Sequence, residues 1–245
     1  MRLIAFWCST VAALFAPAAL AVTVAVDVGH FTAEPGATSS RGVPEFQFNL
    51  ALAREIVLAL KAKSFATLTI GADGEARELL GRTRAARGTD FFLSVHHDSI
   101  KARYQSEWQF DGVTRKYSDL VSGFSLFVSR RNPALQQSLA CASAIGARLR
   151  AAGFHPSRYH ADPELGAGRP FADEENGVHY FDNLAVARSA SSAAVLLEAG
   201  VIVNRDEELM LSKEETRSRI AAAVADGLSS CLEARPPGAD KGESR

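Results

Sequence analysis

Short apolar runs alternate along this chain with stretches whose apolar residues return every three or four positions. Residues 22–28 (VTVAVDV) are rich in β-branched side chains and predict a strand. Residues 45–61 predict a helix, because Phe48, Leu52, Ile56 and Leu60 recur four apart on one face. A second strand follows at 66–70, then a helix at 75–87 with arginines on its polar side. Residues 91–95 (FFLSV) are almost wholly apolar, as a strand covered on both faces requires. Strands at 124–129 and 195–198 bracket a helix at 133–152 that Gly153 ends. The last helix opens with Ser212 and Glu215 at capping-box spacing and runs to 232. Strands alternating with amphipathic helices predict an α/β fold. We expect one three-layer αβα domain over residues 22–232, with a mixed central sheet and the 195–198 strand near its middle. No internal repeat is visible. Two polar stretches, 100–123 and 155–180, fit neither period and are long for loops of a compact domain, which makes them candidate functional loops.

The two ends bear on compartment. Arg2, the mostly apolar run 3–20 and the small-x-small triplet Ala19-Leu20-Ala21 have the layout of a secretory signal peptide over residues 1–21. A membrane anchor is the competing reading, but small residues, Pro17 and the cleavage triplet favour a cleaved leader. No cysteine follows Ala21, so nothing supports a lipoprotein anchor. The apolar stretch around 195–203 is interrupted by Glu198 and flanked by Arg188 and Arg205, so no stable membrane insertion is expected after cleavage. The product would be periplasmic or secreted. A formal net charge of -1 gives no reason to propose nucleic acid as a partner. Residues 233–245 (EARPPGADKGESR) predict a disordered tail. Cys8 would leave with the leader. Cys141 and Cys231 remain, and an oxidising compartment allows them one disulfide. The stripes Cys141-Ile145-Leu149 and Val224-Leu228-Cys231 already account for both as buried free thiols, and that reading is preferred.

Three predicted strands end in polar residues. One runs into Gly29-His30, one into His96-His97-Asp98 and one into Glu198-Ala199-Gly200. Open α/β sheets gather ligands at the carboxyl ends of their strands. Glu45, at the start of the helix after the His30 loop, returns a carboxylate to that edge. Two imidazoles and a carboxylate are a ligand set for catalytic zinc, with a fourth position left for water, whose pKa zinc lowers to about 7. A second carboxylate would then move the proton. Glu198 suits that role, since a carboxylate on so apolar a strand is costly without a partner. The donors are scattered, however, and a histidine after a strand is usually a plain loop residue.

At these positions the chain resembles the zinc-dependent N-acetylmuramoyl-L-alanine amidases of the cell-division and sporulation type. Asp27-Val28-Gly29-His30, Pro35-Gly36-Ala37, Gly42 and Glu45 resemble the family's first motif. Ser94-Val95-His96-His97-Asp98-Ser99 resembles its second, preceded by matches at Arg82, Ala86 and Asp90-Phe91-Phe92. Gly123-Phe124-Ser125 looks like its Gly-x-Ser strand. Leu196-Leu197-Glu198-Ala199-Gly200 through Asn204 is similar to its last motif. The resemblance covers about residues 23–230, in the family's order.

It implies that His30, Glu45 and His96 bind one zinc ion and that Glu198 is the general base and then the acid. The substrate would be peptidoglycan, cut between N-acetylmuramic acid and L-alanine. The same ligands would serve a zinc carboxypeptidase or endopeptidase. A non-catalytic wall-binding module would not need Glu198. His97 stands where the family usually has Ala. It would be either a support for the site or, by preference, a lone polar residue pointing away across the strand. Asp27 and Asp98 would orient ligand imidazoles or bond loop backbone. Some relatives resemble a resting state in which an inserted segment blocks the metal until a protein activator moves it. By that analogy a carboxylate of Asp173-Glu174-Glu175 would plug the site, although a charge run of this kind is more often a solvated surface. The chain departs from the family at Phe31-Thr32, Ile70 and Val201, which touches substrate fit more than chemistry.

Overall fold

A computed structural model describes residues 21–232. Most of the expected leader and the tail at 233–245 lie outside the described residues. In chain order the elements are β1 (Thr23–Val28), α1 (Glu45–Ala62), β2 (Ala66–Ile70), α2 (Leu79–Ala85), β3 (Phe91–Asp98), β4 (Ser106–Phe110), β5 (Val113–Tyr117) and β6 (Ser125–Val128). There follow α3 (Leu135–Ala151), β7 (Phe171–Asp173), β8 (Val178–Tyr180), α4 (Ala185–Ser189), β9 (Ala193–Val201), α5 (Arg205–Leu211) and α6 (Glu214–Leu232).

Seven strands form one mixed sheet in the order β2-β1-β3-β9-β6-β8-β7. Strands β1, β2, β3 and β9 run parallel, and β6 pairs antiparallel with β9. The expected three-layer α/β domain is therefore what forms, with β9 at the centre. Side-chain alternation along each strand separates two cores. Val24, Val26, Val28, Phe91, Leu93, Val95, Val195 and Leu197 face a large core built with α1, α3 and α6. Ala25, Phe92, Phe127, Ala194 and Leu196 face a smaller one with Val186, Ala187 and Ala190, under α2 and α4. The thinner cover on that second face leaves room for a site.

Several boundaries differ from expectation. The 75–87 helix shortens to Leu79–Ala85. The carbonyl of Ala76 accepts from Arg82 instead of starting a helix, and Arg82 is buried rather than on the polar side. The last helix forms over its expected span, starting at Glu214, and a separate short helix, α5, precedes it. Asn204 caps α5 by accepting from the backbone N–H groups of Asp206 and Glu207. The Ser212 hydroxyl donates back to the carbonyl of Glu208, so it does not cap α6. Residues 100–123 contain the antiparallel hairpin β4–β5, turned by Asp111-Gly112, both at positive φ. That pair favours a two-residue hairpin turn. Residues 155–180 form a short turn at Tyr159–Ala161 and then supply the last two strands of the main sheet, β8 and the edge strand β7, joined by a turn at 174–177.

The preference for free thiols is overturned. Cys141 and Cys231 form a disulfide with Cα atoms 5.2 Å apart, joining α3 to α6. Each helical stripe correctly buries its cysteine, but only the packing of the two helices brings the stripes face to face. The bond closes a loop 90 residues apart in sequence. Cys141→Ser with Cys231→Ser should lower unfolding stability by about 2–4 kcal/mol in denaturant titration, and reductant should have the same effect on the parent chain.

Candidate active site

Three strand ends and one helix start meet at the carboxyl edge of the sheet. β1 leads into His30, which sits at φ 66, a left-handed conformation costly for a side-chain-bearing residue. Arg82 holds that turn. Its guanidinium donates to the carbonyls of Val28, His30 and Ala76 and to Asp27 Oδ1 at 2.6 Å. The other oxygen of Asp27 accepts from Ser94 Oγ at 2.7 Å. Asp27 thus orients no imidazole; it fixes the arginine that fixes the backbone of His30.

Glu45 opens α1 and is buried. Its Oε2 lies 3.0 Å from His30 Nε2, and its Oε1 lies 3.1 Å from His96 Nδ1. Donor atoms of His30, Glu45 and His96 all lie within 4.8 Å of one another. Burial works against the charge on Glu45, but hydrogen bonds and the charges of His30 and His96 outweigh it and hold the carboxyl well below its ordinary range. The space around the trio is kept by glycines. A Cβ on Gly29 would stand 2.3 Å from the His96 ring, and one on Gly36 would stand 2.3 Å from Glu45 Oε2. Two imidazoles, one buried carboxylate and glycine-walled clearance suit a single metal ion.

The period of β3 decides between its two histidines. His96 faces the thin side of the sheet, and His97 faces α1, packed on Phe48. As expected, His97 points away, but it is not alone. Its Nδ1 donates to Asn49 Oδ1 at 2.8 Å, and Asn49 Nδ2 donates to Glu45 Oε1 at 3.1 Å and to the Gly29 carbonyl at 3.2 Å. Burial pushes the His97 imidazole down to about 3, so it stays neutral. Asn49 was legible in principle, four residues after Glu45 and therefore on the same helix face.

β9 lies beside β3 with Glu198 paired to His96, so both side chains share one face. Ser125 of β6 is the next residue in that row. Glu198 Oε2 and Ser125 Oγ are buried with no hydrogen-bond partner among the described residues. Burial, then the charges of Asp98 and Glu45, raise the Glu198 carboxyl well above its ordinary value, with Arg169 opposing. Asp98 meets neither His30 nor His96. Its Oδ1 accepts from the backbone of Ser99 at 2.8 Å, and its Oδ2 is 2.6 Å from His160 Nε2. A cavity of about 330 Å³ adjoins His30 and His96, walled by Phe31, Leu79, Leu184 and Val186.

The acidic run does not plug the trio. Asp173 accepts from Asn176, Glu174 pairs with Arg158 at 3.1 Å, and Glu175 pairs with Arg150 at 2.7 Å. Residues from the same segment that do approach the thin face, His160 and Arg169, gave no signal in the sequence.

A family model described as N-acetylmuramoyl-L-alanine amidase matches residues 24–230. The chain belongs to the N-acetylmuramoyl-L-alanine amidase family. It is 26% identical over 230 residues to a protein of Haemophilus influenzae named "Probable N-acetylmuramoyl-L-alanine amidase AmiB", a match covering 84% of this chain and 51% of that one. The chain thus spans about half the length of that curated relative. Among solved structures, the catalytic domain of CwlV from Bacillus (Paenibacillus) polymyxa var. colistinus is similar, with TM-score 0.65, 25% identity, and coverage of 87% of this chain and 99% of that one. Ami1 from Mycobacterium smegmatis shares the fold, with TM-score 0.69, 20% identity and coverage of 87% and 98%. The amidase family is zinc-dependent, and the His-Glu-His cluster is consistent with one metal.

Within this amidase-family chain, the Arg82–Asp27 pair is almost wholly buried. Arg82→Met would leave Asp27 without its counter-charge. The expected loss is about 3–5 kcal/mol in denaturant unfolding, whereas Arg84→Met, on the exposed side of the same helix, should change stability by less than about 1 kcal/mol.

Proposed function

We propose that this chain is an exported peptidoglycan hydrolase that cuts the amide between the lactyl group of N-acetylmuramic acid and the L-alanine of the peptide stem. One observation carries the reading: the His30-Glu45-His96 cluster lies beside Glu198 across one strand spacing, and the buried Oε2 of Glu198 has no partner among the described residues. Family membership supplies the substrate class. Export is supported by the leader-like residues 1–21 and by the Cys141–Cys231 bond, which suits an oxidising compartment. Among the described residues no helix is long and apolar enough to cross a membrane.

His30, Glu45 and His96 would hold one zinc ion. When bound, zinc supplies Lewis acidity towards the amide carbonyl and the attacking water. The chain's own residues supply the rest. Glu198 Oε2 takes a proton from the water as the new carbon–oxygen bond forms. It returns that proton to the nitrogen as the carbon–nitrogen bond breaks. The products are the lactyl carboxylic acid and a free L-alanine amine, so the step consumes only water. Asn49, braced by His97, keeps Glu45 from turning away from the imidazoles.

Incubation of the full chain with purified peptidoglycan should release new amino-terminal alanine. Chelator should abolish the release, and added zinc should restore it; undiminished activity without metal would refute the mechanism. His30→Ala, Glu45→Ala and His96→Ala should each lose bound zinc. His97→Ala should keep near-stoichiometric zinc at saturating metal, with affinity about tenfold weaker. Glu198→Gln should cut turnover by about a hundredfold or more with zinc content unchanged. Loss of zinc in that variant would make Glu198 a ligand instead.

A further inference from the structure

The β4–β5 hairpin lies outside the main sheet and takes no part in the chemistry proposed above. Trp108, Phe110, Arg115 and Tyr117 share its half-buried face, while Glu107, Gln109, Thr114 and Lys116 face solvent. A two-stranded hairpin is marginal by itself, so that face needs a support. Two arginines from distant parts of the chain provide it. The guanidinium carbon of Arg41 lies 5.3 Å from the ring centre of Trp108 and 5.4 Å from that of Phe110. The guanidinium carbon of Arg205 lies 5.3 Å from the Trp108 ring centre and 3.9 Å from that of Tyr117. Arg41 pairs with Glu208 and Arg205 with Asp119, so neither charge is free. These rings and cations therefore form an attachment rather than an open binding surface.

What they attach is the loop between two members of the metal cluster. Residues 31–44 join His30 to Glu45, and of these only Ser39 and Ser40 are buried, so no apolar core holds the loop. Hydrogen bonds hold it instead. Its second half folds back on itself: Glu45 N–H donates to the Ala37 carbonyl at 2.8 Å, Ser39 N–H to the Val43 carbonyl at 2.9 Å, and Gly42 N–H to the Ser39 carbonyl at 3.0 Å. Residues 37–45 are thus a small antiparallel turn with its tip at 39–42 and Glu45 at its base.

Base and tip have different partners. At the base, Ala37 N–H donates to Glu45 Oε2 at 3.0 Å, the oxygen that meets His30 Nε2. At the tip, the backbone of Ser40 is gripped from two sides. Its N–H donates to the Ile202 carbonyl at 2.9 Å, and its carbonyl accepts from Trp108 Nε1 at 2.9 Å. Gly42, at φ 93, leaves room for the hairpin's Arg115, since a Cβ there would stand 2.4 Å from the guanidinium carbon. The bonded rungs between tip and base make the turn move as one piece. A tip free to shift would swing Ala37 and the Glu45 carboxylate with it.

We propose that Trp108 is a positioning residue for the metal centre, fixing through Ser40 the turn that aims the Glu45 carboxylate. The proposal rests on the reading that His30, Glu45 and His96 hold one zinc ion. Its test strips the full chain of metal and measures zinc affinity by competition with a chromophoric chelator. Trp108→Ala should bind zinc about tenfold more weakly than the parent. Trp108→Phe keeps a ring for the two arginines but lacks the donor to Ser40, and its affinity should fall between the two. In the metal-free protein, amide exchange over residues 37–45 should be faster in Trp108→Ala than in the parent. Cys141→Ser with Cys231→Ser is the control: it loosens α3 from α6, lowers stability and leaves the turn alone, so its zinc affinity should equal the parent's. Equal zinc affinity in Trp108→Ala and the parent would overturn the proposal while leaving the metal site standing. An equal loss of affinity in the disulfide control would also overturn it, making the effect one of global stability. Parent-like affinity in Trp108→Phe would overturn the route through Ser40. A parent chain that binds no zinc would overturn the metal reading and this proposal together.

Discussion

Glu45 carries a negative charge into a place where water cannot solvate it, and much of the surrounding structure answers that constraint. A buried carboxylate is tolerated only when its lone pairs are met and its charge is opposed. Here Oε2 meets His30 and the backbone N–H of Ala37, while Oε1 meets His96 and Asn49. The geometry extends outward from those contacts. His30 reaches Glu45 from a left-handed backbone position, which Arg82 steadies through the carbonyls of residues 28 and 30. Arg82 in turn needs Asp27, and Asp27 needs Ser94. Gly29 and Gly36 lack side chains because the imidazole rings and the carboxylate already fill the space.

The sheet contributes a second constraint. Its parallel strands bury one face under three helices, and that core supplies the bulk of the packing. The opposite face has only two short helices and the 155–180 segment over it. The row His96, Glu198, Ser125 lies at the open end of that thinner face. A polar row so placed has protein beneath it and room above, which is the arrangement a hydrolytic site requires.

The loops at this edge are anchored by further buried carboxylates. Glu208 accepts from the hydroxyls of Ser39 and Ser40 and from Arg41, tying the chain before α1 to α5. Glu207 accepts from the backbone N–H groups of Gly123 and Val201 at 2.8 Å and 2.9 Å, which locks the start of β6 to the end of β9. Burial pushes the Glu207 carboxyl up to about 7. These ties hold the Ser125 and Glu198 strands in register without using either side chain.

How much of this was legible depended on how local the cause was. Strand and helix periods are local, so the α/β class, α1, β1, β3 and the central β9 followed from the sequence. That His30, Glu45, His96 and Glu198 gather at one edge was also legible, because each sits at the end of an element whose pattern was clear. Where a residue's role depended on a partner distant in sequence, the reading failed. Cys141 and Cys231 were each seen as buried, yet their bond required α3 and α6 to pack face to face. Arg82 read as one of several polar arginines until β1 brought Asp27 against it. Asp98 read equally as orienting a ligand imidazole or bonding loop backbone; it bonds the backbone of Ser99, and the ring it meets is His160, brought from 62 residues away by the 155–180 segment. For Asp173, Glu174 and Glu175 the plug was only an analogy, and the preferred reading of a solvated charge run agrees with their partly exposed pairs with Arg158, Arg150 and Asn176. The sequence by itself determined which side chains stand at the carboxyl edge of the sheet. Only the tertiary structure decided which of them face one another, because strand period sets a side chain's face while register and long-range packing set its neighbours.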